Sequence, residues 1–217
     1  MAQDSSKPEF WESRYRDNVI PWDAGKTPVS LQEYASNLPS GARVLIPGCG
    51  SAYEAAYLAG KGFDVLAIDF SPAAVETARK NLAGFADIVR LADFFDFDFG
   101  QPFDVIYERA FLCALPRTMW NGYADRCAQL LKPTGVVAGF FFFAETPKGP
   151  PFGTSQAELD GLMHPLFDRI DDRPVAESIE VFSGKERWQV WGKAVTDVTR
   201  DDRDDRDGVE KCPDLGL

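Results

Sequence analysis

Two short apolar runs, each closed by residues that packing alone would not select, limit the fold most. Arg43-Val44-Leu45-Ile46-Pro47 runs into Gly48-Cys49-Gly50, and Asp64-Val65-Leu66-Ala67-Ile68 ends on Asp69. Continuous apolar runs bounded by turn residues read as strands buried on both faces, and such strands belong to parallel sheets. Residues 53–60 between them read as a helix, so the three pieces form one right-handed crossover unit. The pattern then repeats. Ser71 as N-cap and Pro72 at the first helical position open a helix to about residue 82. Residues 88–91 and 103–107 read as the third and fourth strands, 119–131 as an amphipathic helix, and 136–143 as a fifth strand. A helix over 155–166 precedes two further strands, near 176–181 and 187–193. No helix separates those two, which predicts an antiparallel pair. Upstream, residues 8–16 and 29–37 read as helices around the loop Ile20-Pro21-Trp22-Asp23. The expected architecture is a doubly wound α/β fold: a mostly parallel seven-stranded sheet, helices on both faces and an antiparallel C-terminal edge.

One domain is expected over residues 1–195, with the aromatic-rich segment 8–37 lying over it as a lid. Residues 196–217 include Asp201-Asp202-Arg203-Asp204-Asp205-Arg206-Asp207, a mixed-charge run that reads as a disordered, solvated tail. The whole chain has 217 residues, 45% hydrophobic and 26% charged, with a formal net charge of -11. That charge argues against a nucleic-acid or anionic-membrane partner. No apolar run has the length to cross a bilayer, and the N-terminus lacks the apolar stretch of a signal peptide. Cys49, Cys113, Cys127 and Cys212 have neither metal-ligand nor redox spacing, so they read as reduced thiols of a cytoplasmic protein. A single histidine, His164, leaves no basis for a histidine-rich metal site. The expected partner is a small molecule, and the expected state is a monomer without metal.

In an open parallel sheet, ligands bind beyond the carboxyl ends of the strands, where strand order reverses. Four features fall at such ends. Pro47-Gly48-Cys49-Gly50 lets a ligand approach the backbone, but Ala52 and Tyr53 leave the dinucleotide glycine fingerprint incomplete. Asp69, nineteen residues after Gly50, is placed to accept from ribose hydroxyls; its plain rival is a helix cap, for which Ser71 is better placed. Asp93 and the backbone of Phe94 suit an adenine edge, with phenylalanines on the ring, although some of Phe94, Phe95, Phe97 and Phe99 must simply be core. Glu108-Arg109 ends the fourth strand, where Arg109 faces either a carboxylate or a structural ion pair. Together these describe an adenosine ligand without a diphosphate, and S-adenosylmethionine fits that description. Its sulfonium is a cation that the rings of Trp11, Tyr15 and Trp22 suit, and those rings serve equally as a staple for the N-terminal segment.

Further stretches carry a resemblance. They are Phe10-Trp11-Glu12-Ser13-Arg14-Tyr15, Pro21-Trp22-Asp23-Ala24-Gly25, Val44 through Gly50, Ala67-Ile68-Asp69, Ala92-Asp93-Phe94-Phe95, Tyr107 through Leu115, and Gly149-Pro150-Pro151-Phe152. Taken in order, the chain resembles the thiopurine S-methyltransferase family, in particular its thiol and halide methyltransferase branch. The resemblance implies that Trp11, Tyr15, Trp22, Gly48, Asp69, Asp93, Phe94 and Arg109 contact S-adenosylmethionine. It also implies that Pro151 and Phe152 lie near the acceptor. Two departures stand out. Gly50-Ser51-Ala52 replaces the more glycine-rich turn of the halide-type members, and Arg109 is similar to the thiopurine branch.

The expected reaction is in-line transfer of the donor methyl to a thiol, sulfide or thiopurine sulfur, with S-adenosylhomocysteine leaving. Halide or thiocyanate is the alternative acceptor. Such nucleophiles need little help from a base, in keeping with one histidine; His164, before Pro165, reads as a helix-end residue. O- or N-methylation would require a base, with Asp23 or Glu108 as candidates. A non-catalytic S-adenosylmethionine-binding module and an NAD-dependent oxidoreductase are the remaining alternatives. The incomplete glycine fingerprint and the lack of a Tyr-x-x-x-Lys pair weigh against the last.

Overall fold

The computed structural model describes residues 4–82, 84–146 and 148–194. Along the chain run α1 (Pro8–Arg16), α2 (Val29–Ala35), β1 (Arg43–Pro47), α3 (Tyr53–Gly60), β2 (Asp64–Asp69), α4 (Pro72–Asn81), β3 (Val89–Leu91), β4 (Phe103–Arg109), α5 (Trp120–Leu130), β5 (Leu131–Phe142), α6 (Gln156–Met163), β6 (Phe167–Pro174) and β7 (Glu186–Lys193). The seven strands form one sheet in the order β3-β2-β1-β4-β5-β7-β6. Strands β1 to β5 pair in parallel, while β7 runs antiparallel to both β5 and β6. The doubly wound fold with an antiparallel C-terminal edge is therefore what the chain adopts.

Each face of the sheet carries its own core. Leu31 and Ala35 of α2, Ala55 and Leu58 of α3, and Val75 and Ala78 of α4 pack on Val44, Ile46, Val105 and Tyr107. On the other face, Trp120, Tyr123 and Cys127 of α5 and Leu159 and Met163 of α6 pack on Leu45, Ile106, Val137 and Trp191. Neighbours along a strand point to opposite faces, so Val44 and Leu45 divide between the two cores. The central strands are apolar throughout for this reason. From β1 the chain crosses to β2, and from β4 it crosses the other way to β5. The crevice between these diverging connections opens above the carboxyl ends of β1 and β4.

One strand lies elsewhere than expected. Residues 176–181 are not a strand; they belong to the β6–β7 loop, which ends in a 3-10 turn at Glu180–Phe182. The edge strand is β6, with the sequence FDRIDDRP, of which only Phe167 is buried. An edge strand gains from charge, because charged side chains deter pairing with another chain. A register shift between Arg169 and Asp171 breaks its alternation further. The Arg169 and Arg173 guanidinium groups lie 5.6 Å from the ring centroids of Trp191 and Trp188. Arginine stems thus cover the tryptophans at the sheet edge. The charged run expected to form a tail lies outside the described residues.

Candidate active site

A cavity of about 200 Å³ opens in the crevice above β1, β2 and β4. Its floor is the turn after β1. Gly48 and Gly50 have φ of +58° and +51°, a region that side chains disfavour. Contact reinforces the choice of glycine. A Cβ on Gly48 would stand 2.6 Å from the Phe111 ring, and one on Gly50 would run into the Tyr15 hydroxyl. Ala52 also takes a left-handed conformation, at φ 59°, as the residue that caps α3. The turn therefore keeps its shape with alanine there.

Asp69 at the end of β2 locks to this turn. Gly50 N–H donates to Asp69 Oδ2 at 3.1 Å, and Ser71 N–H donates to Oδ1 at 3.0 Å. The carboxylate is 7% exposed and lines the cavity. Burial pushes its pKa up to about 6, against the hydrogen bonds from Ser71, Gly50 and Phe70. At the end of β3, Asp93 accepts from Phe95 N–H at 2.8 Å and also lines the cavity. Phe94 is buried among Phe95, Phe99, Phe111 and Tyr123, with ring centroids 5.2 to 6.5 Å away. Phe94 and Phe95 reach the cavity. Phe97 and Phe99 pack only into the core.

The N-terminal segment lies over this floor. Glu12 Oε2 accepts from Ser71 Oγ and Ala73 N–H, each at 2.8 Å, which ties α1 to the start of α4. Trp11 Nε1 donates to Ser5 O at 2.8 Å. Trp11 and Tyr15 meet Trp22 edge to face, at 5.3 and 6.2 Å. Asp23 accepts from Ser51 Oγ and from Gly25 N–H. Beyond it, Lys26 pairs with Glu177 of the β6–β7 loop at 3.3 Å. Trp11, Tyr15 and Trp22 all face the cavity.

The second half of the cavity is built from β4 and the segments around it. Arg109 Nη1 lies 3.7 Å from Glu54 Oε1 of α3, and its guanidinium stacks 4.8 Å from the Phe140 ring centroid. Burial would lower the Arg109 pKa, but Tyr107, Glu54 and Glu186 outweigh it and hold the guanidinium charged. Burial pushes Glu54 up, with Arg109 opposing it. Beyond Arg109 the wall turns apolar. Cys113, Phe142 and Phe182 form a cluster that Trp22 and Ala110 join. Pro150 and Pro151 complete the rim.

All eight residues expected to contact the donor line this one cavity, and so does Pro151. Phe152 does not. Its N–H donates to Cys113 O at 2.7 Å, and its ring packs into the α5–α6 core, drawn there by apolar neighbours. Glu108 also turns away. Its carboxylate accepts from Phe111 N–H at 2.8 Å, Leu112 N–H at 3.1 Å and the Tyr123 hydroxyl at 2.9 Å. Burial pushes it up to about 7, but it shapes the turn after β4 and cannot act as a base in the cavity. His164 is exposed at the end of α6, with Nδ1 3.3 Å from Phe167 O. Glu54, Tyr107 and Phe182 are wall residues that sequence reasoning missed. Glu54 had one available signal, its place in the first helical turn after the glycine turn. Among the described residues, no group of His, Cys, Asp and Glu is arranged to hold a metal ion, and no helix is long and apolar enough to cross a membrane.

Known proteins share sequence and fold with this chain. The family described as Thiopurine S-methyltransferase matches residues 6–194. The probable thiol methyltransferase 2 of Arabidopsis thaliana is 32% identical over 205 residues, covering 90% of this chain and 89% of the relative. Thiocyanate methyltransferase 1 of Brassica oleracea is 29% identical over 192 residues, 84% of each chain. Among solved structures, the Burkholderia thailandensis 1,6-didemethyltoxoflavin-N1-methyltransferase superposes with a TM-score of 0.67 at 19% identity. That alignment covers 86% of both chains and shows a shared fold.

Proposed function

The chain belongs to the thiopurine S-methyltransferase family, and from that premise we propose that it transfers the methyl group of S-adenosylmethionine to the sulfur of a small acceptor. One observation carries this reading: a single cavity joins a floor at Gly48, Asp69 and Phe94 to an apolar chamber at Cys113 and Phe182, with Trp22 at the junction. The floor fits the donor. Its glycines take a left-handed turn against the Phe111 ring and the Tyr15 hydroxyl, which leaves the backbone without side chains at the floor, and its buried carboxylate is aimed by two backbone N–H groups.

When bound, S-adenosylmethionine supplies a methyl group on a positively charged sulfur. Asp69 would accept from the ribose hydroxyls, and Asp93 with the Phe94 backbone would meet the adenine edge. Arg109 stands near both halves, where it holds the donor's carboxylate or draws in the acceptor. The rings of Trp11, Tyr15 and Trp22 favour a cation beside them. Their segment, lying as a lid over the cavity, keeps water from the reacting atoms. Rate enhancement then comes chiefly from alignment of the sulfur nucleophile with the methyl carbon. We place this enzyme in the cytoplasm as a monomer acting on a small molecule, with no nucleic-acid or membrane partner.

Two measurements test the proposal. Thermal melting is expected to shift upward with S-adenosylmethionine or S-adenosylhomocysteine and not with NAD; a shift with NAD alone overturns it. A panel of hydrogen sulfide, aryl thiols, thiopurines, thiocyanate, iodide and a catechol with labelled donor then reads out the acceptor. Turnover of the catechol without any sulfur or halide acceptor would reassign the reaction to O-methylation.

A further inference from the structure

One pair of buried charges on the cavity wall has no structural purpose of its own. Glu54 and Arg109 both line the cavity, and their side chains are 13% and 11% exposed. Their closest approach, Arg109 Nη1 to Glu54 Oε1, is 3.7 Å, too long for a hydrogen bond. Nη1 has no hydrogen-bond partner among the described residues. Charges taken out of water recover the lost hydration only when close geometry and further hydrogen bonds satisfy them. This pair has neither, so it costs the empty fold stability. The wall of a ligand cavity is the place where such a cost serves binding.

The other charges at the cavity are committed. Asp69 accepts from Gly50 and Ser71, Asp23 from Ser51 and Gly25, and Asp93 from Phe95. Lys26 pairs with Glu177, and Arg14 donates to Phe10 O and lies over the Phe10 ring. Of the carboxylates on the cavity wall, Glu54 alone accepts no hydrogen bond from another described residue. Its position is equally specific. β2, β1 and β4 are neighbours in the sheet, so Asp69 and Arg109 stand two strand spacings apart, about 10 Å, with the glycine turn between them. Glu54 lies in the first turn of α3, four residues after Gly50, where it meets Arg109. A donor with its ribose at Asp69 covers that span with its short amino-acid arm.

We propose that Glu54 and Arg109 together read the zwitterionic end of the donor: Glu54 accepts from its α-ammonium, and Arg109 donates to its carboxylate. The inference rests on the donor reading above. It adds Glu54 to the donor site and assigns Arg109 to the donor rather than to the acceptor. Each charge of the ligand meets its opposite in a wall shielded from water, through charge-assisted hydrogen bonds that the pair does not make with itself. A ligand with only one of the two charges leaves one member of the pair unsatisfied, so the pair selects an intact amino-acid arm.

The test is calorimetric binding to the full-length protein of three ligands: S-adenosylhomocysteine, the same molecule lacking only its amino group, and the same molecule lacking only its carboxyl group. The wild type is expected to bind the intact molecule about 10²-fold more tightly than either analogue. Glu54→Gln should lower affinity for the intact molecule and for the carboxyl-free analogue by about tenfold or more, and leave the amino-free analogue within about threefold. Arg109→Gln should show the reverse pattern and spare the carboxyl-free analogue. If Glu54 only holds Arg109 in place, Glu54→Gln weakens the amino-free analogue as much as the intact molecule, and the proposal falls. It falls too if Glu54→Gln binds the intact molecule within about twofold of wild type, or if the wild type does not distinguish the intact molecule from the amino-free one. Binding of none of the three by the wild type would instead overturn the donor reading itself. Should the melting curve show that Glu54→Gln does not fold, Glu54→Asp decides: a loss confined to the ligands with an amino group supports the proposal, and an equal loss for all three opposes it.

Discussion

The two halves of the cavity are built on different principles. The half containing Gly48, Gly50, Asp69 and Phe94 comes from the ends of consecutive strands, and backbone hydrogen bonds fix its geometry. The half containing Trp22, Ala110, Cys113 and Phe182 gathers side chains from three distant segments, held by apolar contact. A backbone-defined seat changes little when side chains vary, and it suits a ligand that is always the same. A side-chain-defined chamber is reshaped by single substitutions, and it suits an acceptor that differs between relatives. The names of the relatives, a thiol and a thiocyanate methyltransferase, fit that division.

The strongest way to break the comparison is Asp69→Ala. It removes the charged acceptor expected to hold two ribose hydroxyls, each such bond worth about 1.5–3 kcal/mol. Donor affinity should fall by about 10²-fold or more, while the ratio of KM values among acceptors stays put. Calorimetry with S-adenosylhomocysteine reads the first and the acceptor panel the second. Asp69→Asn, which keeps the shape, should fall between. A donor affinity within twofold of wild type would move the ribose site away from β2.

Phe182→Ala is the matching change in the other half. The ring is 3% exposed and packs on Phe142 at 5.4 Å. Its removal widens the acceptor chamber and costs about 3–5 kcal/mol of stability, so the assay belongs well below the new melting temperature. Specificity for a bicyclic thiopurine over hydrogen sulfide should rise by about tenfold, with donor affinity little changed. A parallel loss for both acceptors would make Phe182 a packing residue alone.

The same division decides what could be read in the sequence. β1, β2 and the turn between β1 and α3 are legible because burial on both faces demands continuous apolar runs, and the ligand seat demands glycine and aspartate at their ends. Asp69 was found by spacing because only one crossover separates it from Gly50. Phe182 escaped because its place depends on β7 doubling back beside β5, which no local pattern encodes. β6 escaped because an edge strand is selected for charge, and its seven residues after Phe167 carry five charged side chains. Glu108 misled for the opposite reason. It stands at a strand end, as catalytic acids do, but the turn after β4 needs an acceptor for the Phe111 and Leu112 N–H groups.

Acid should separate the halves more gently. Asp69 carries a pKa raised to about 6 by burial, and only its ionised form accepts two ribose hydroxyls. Donor affinity should therefore weaken as pH falls through about 6, by about tenfold at pH 5. Its effect on the empty protein has the opposite sign. The folded state binds this proton more tightly than the unfolded chain, so Asp69 makes the fold less stable as pH rises from about 4 to 6. Calorimetric affinity and melting temperature, measured over the same range, should move in opposite directions for this group, and Asp69→Asn should flatten the affinity profile. An affinity that is flat between pH 5 and 7 in the wild type would show that the ionised carboxylate is not the contact.

The smallest expected effect tests whether the lid belongs to the donor half. Glu12 reaches from α1 to the first turn of α4, accepting from Ala73 N–H and Ser71 Oγ, so it acts as a helix cap supplied from another segment. Those contacts, Ala73 foremost, hold its carboxyl below the usual range despite burial. Glu12→Ala should cost about 1 kcal/mol, the usual worth of an N-cap, and α4 would keep its own cap because Ser71 Oγ still accepts from Ala74 N–H at 3.2 Å. The lid loses one of its ties, and Trp11 and Tyr15 ride on the same helix. S-adenosylhomocysteine should then dissociate severalfold faster, about what 1 kcal/mol permits. The acceptor-side tie, Lys26 to Glu177, is exposed at both ends, and Lys26→Ala should change neither rate by a measurable amount. If Lys26→Ala proves the more damaging of the two, the lid is anchored to the acceptor chamber, and the donor seat is the half that stands open.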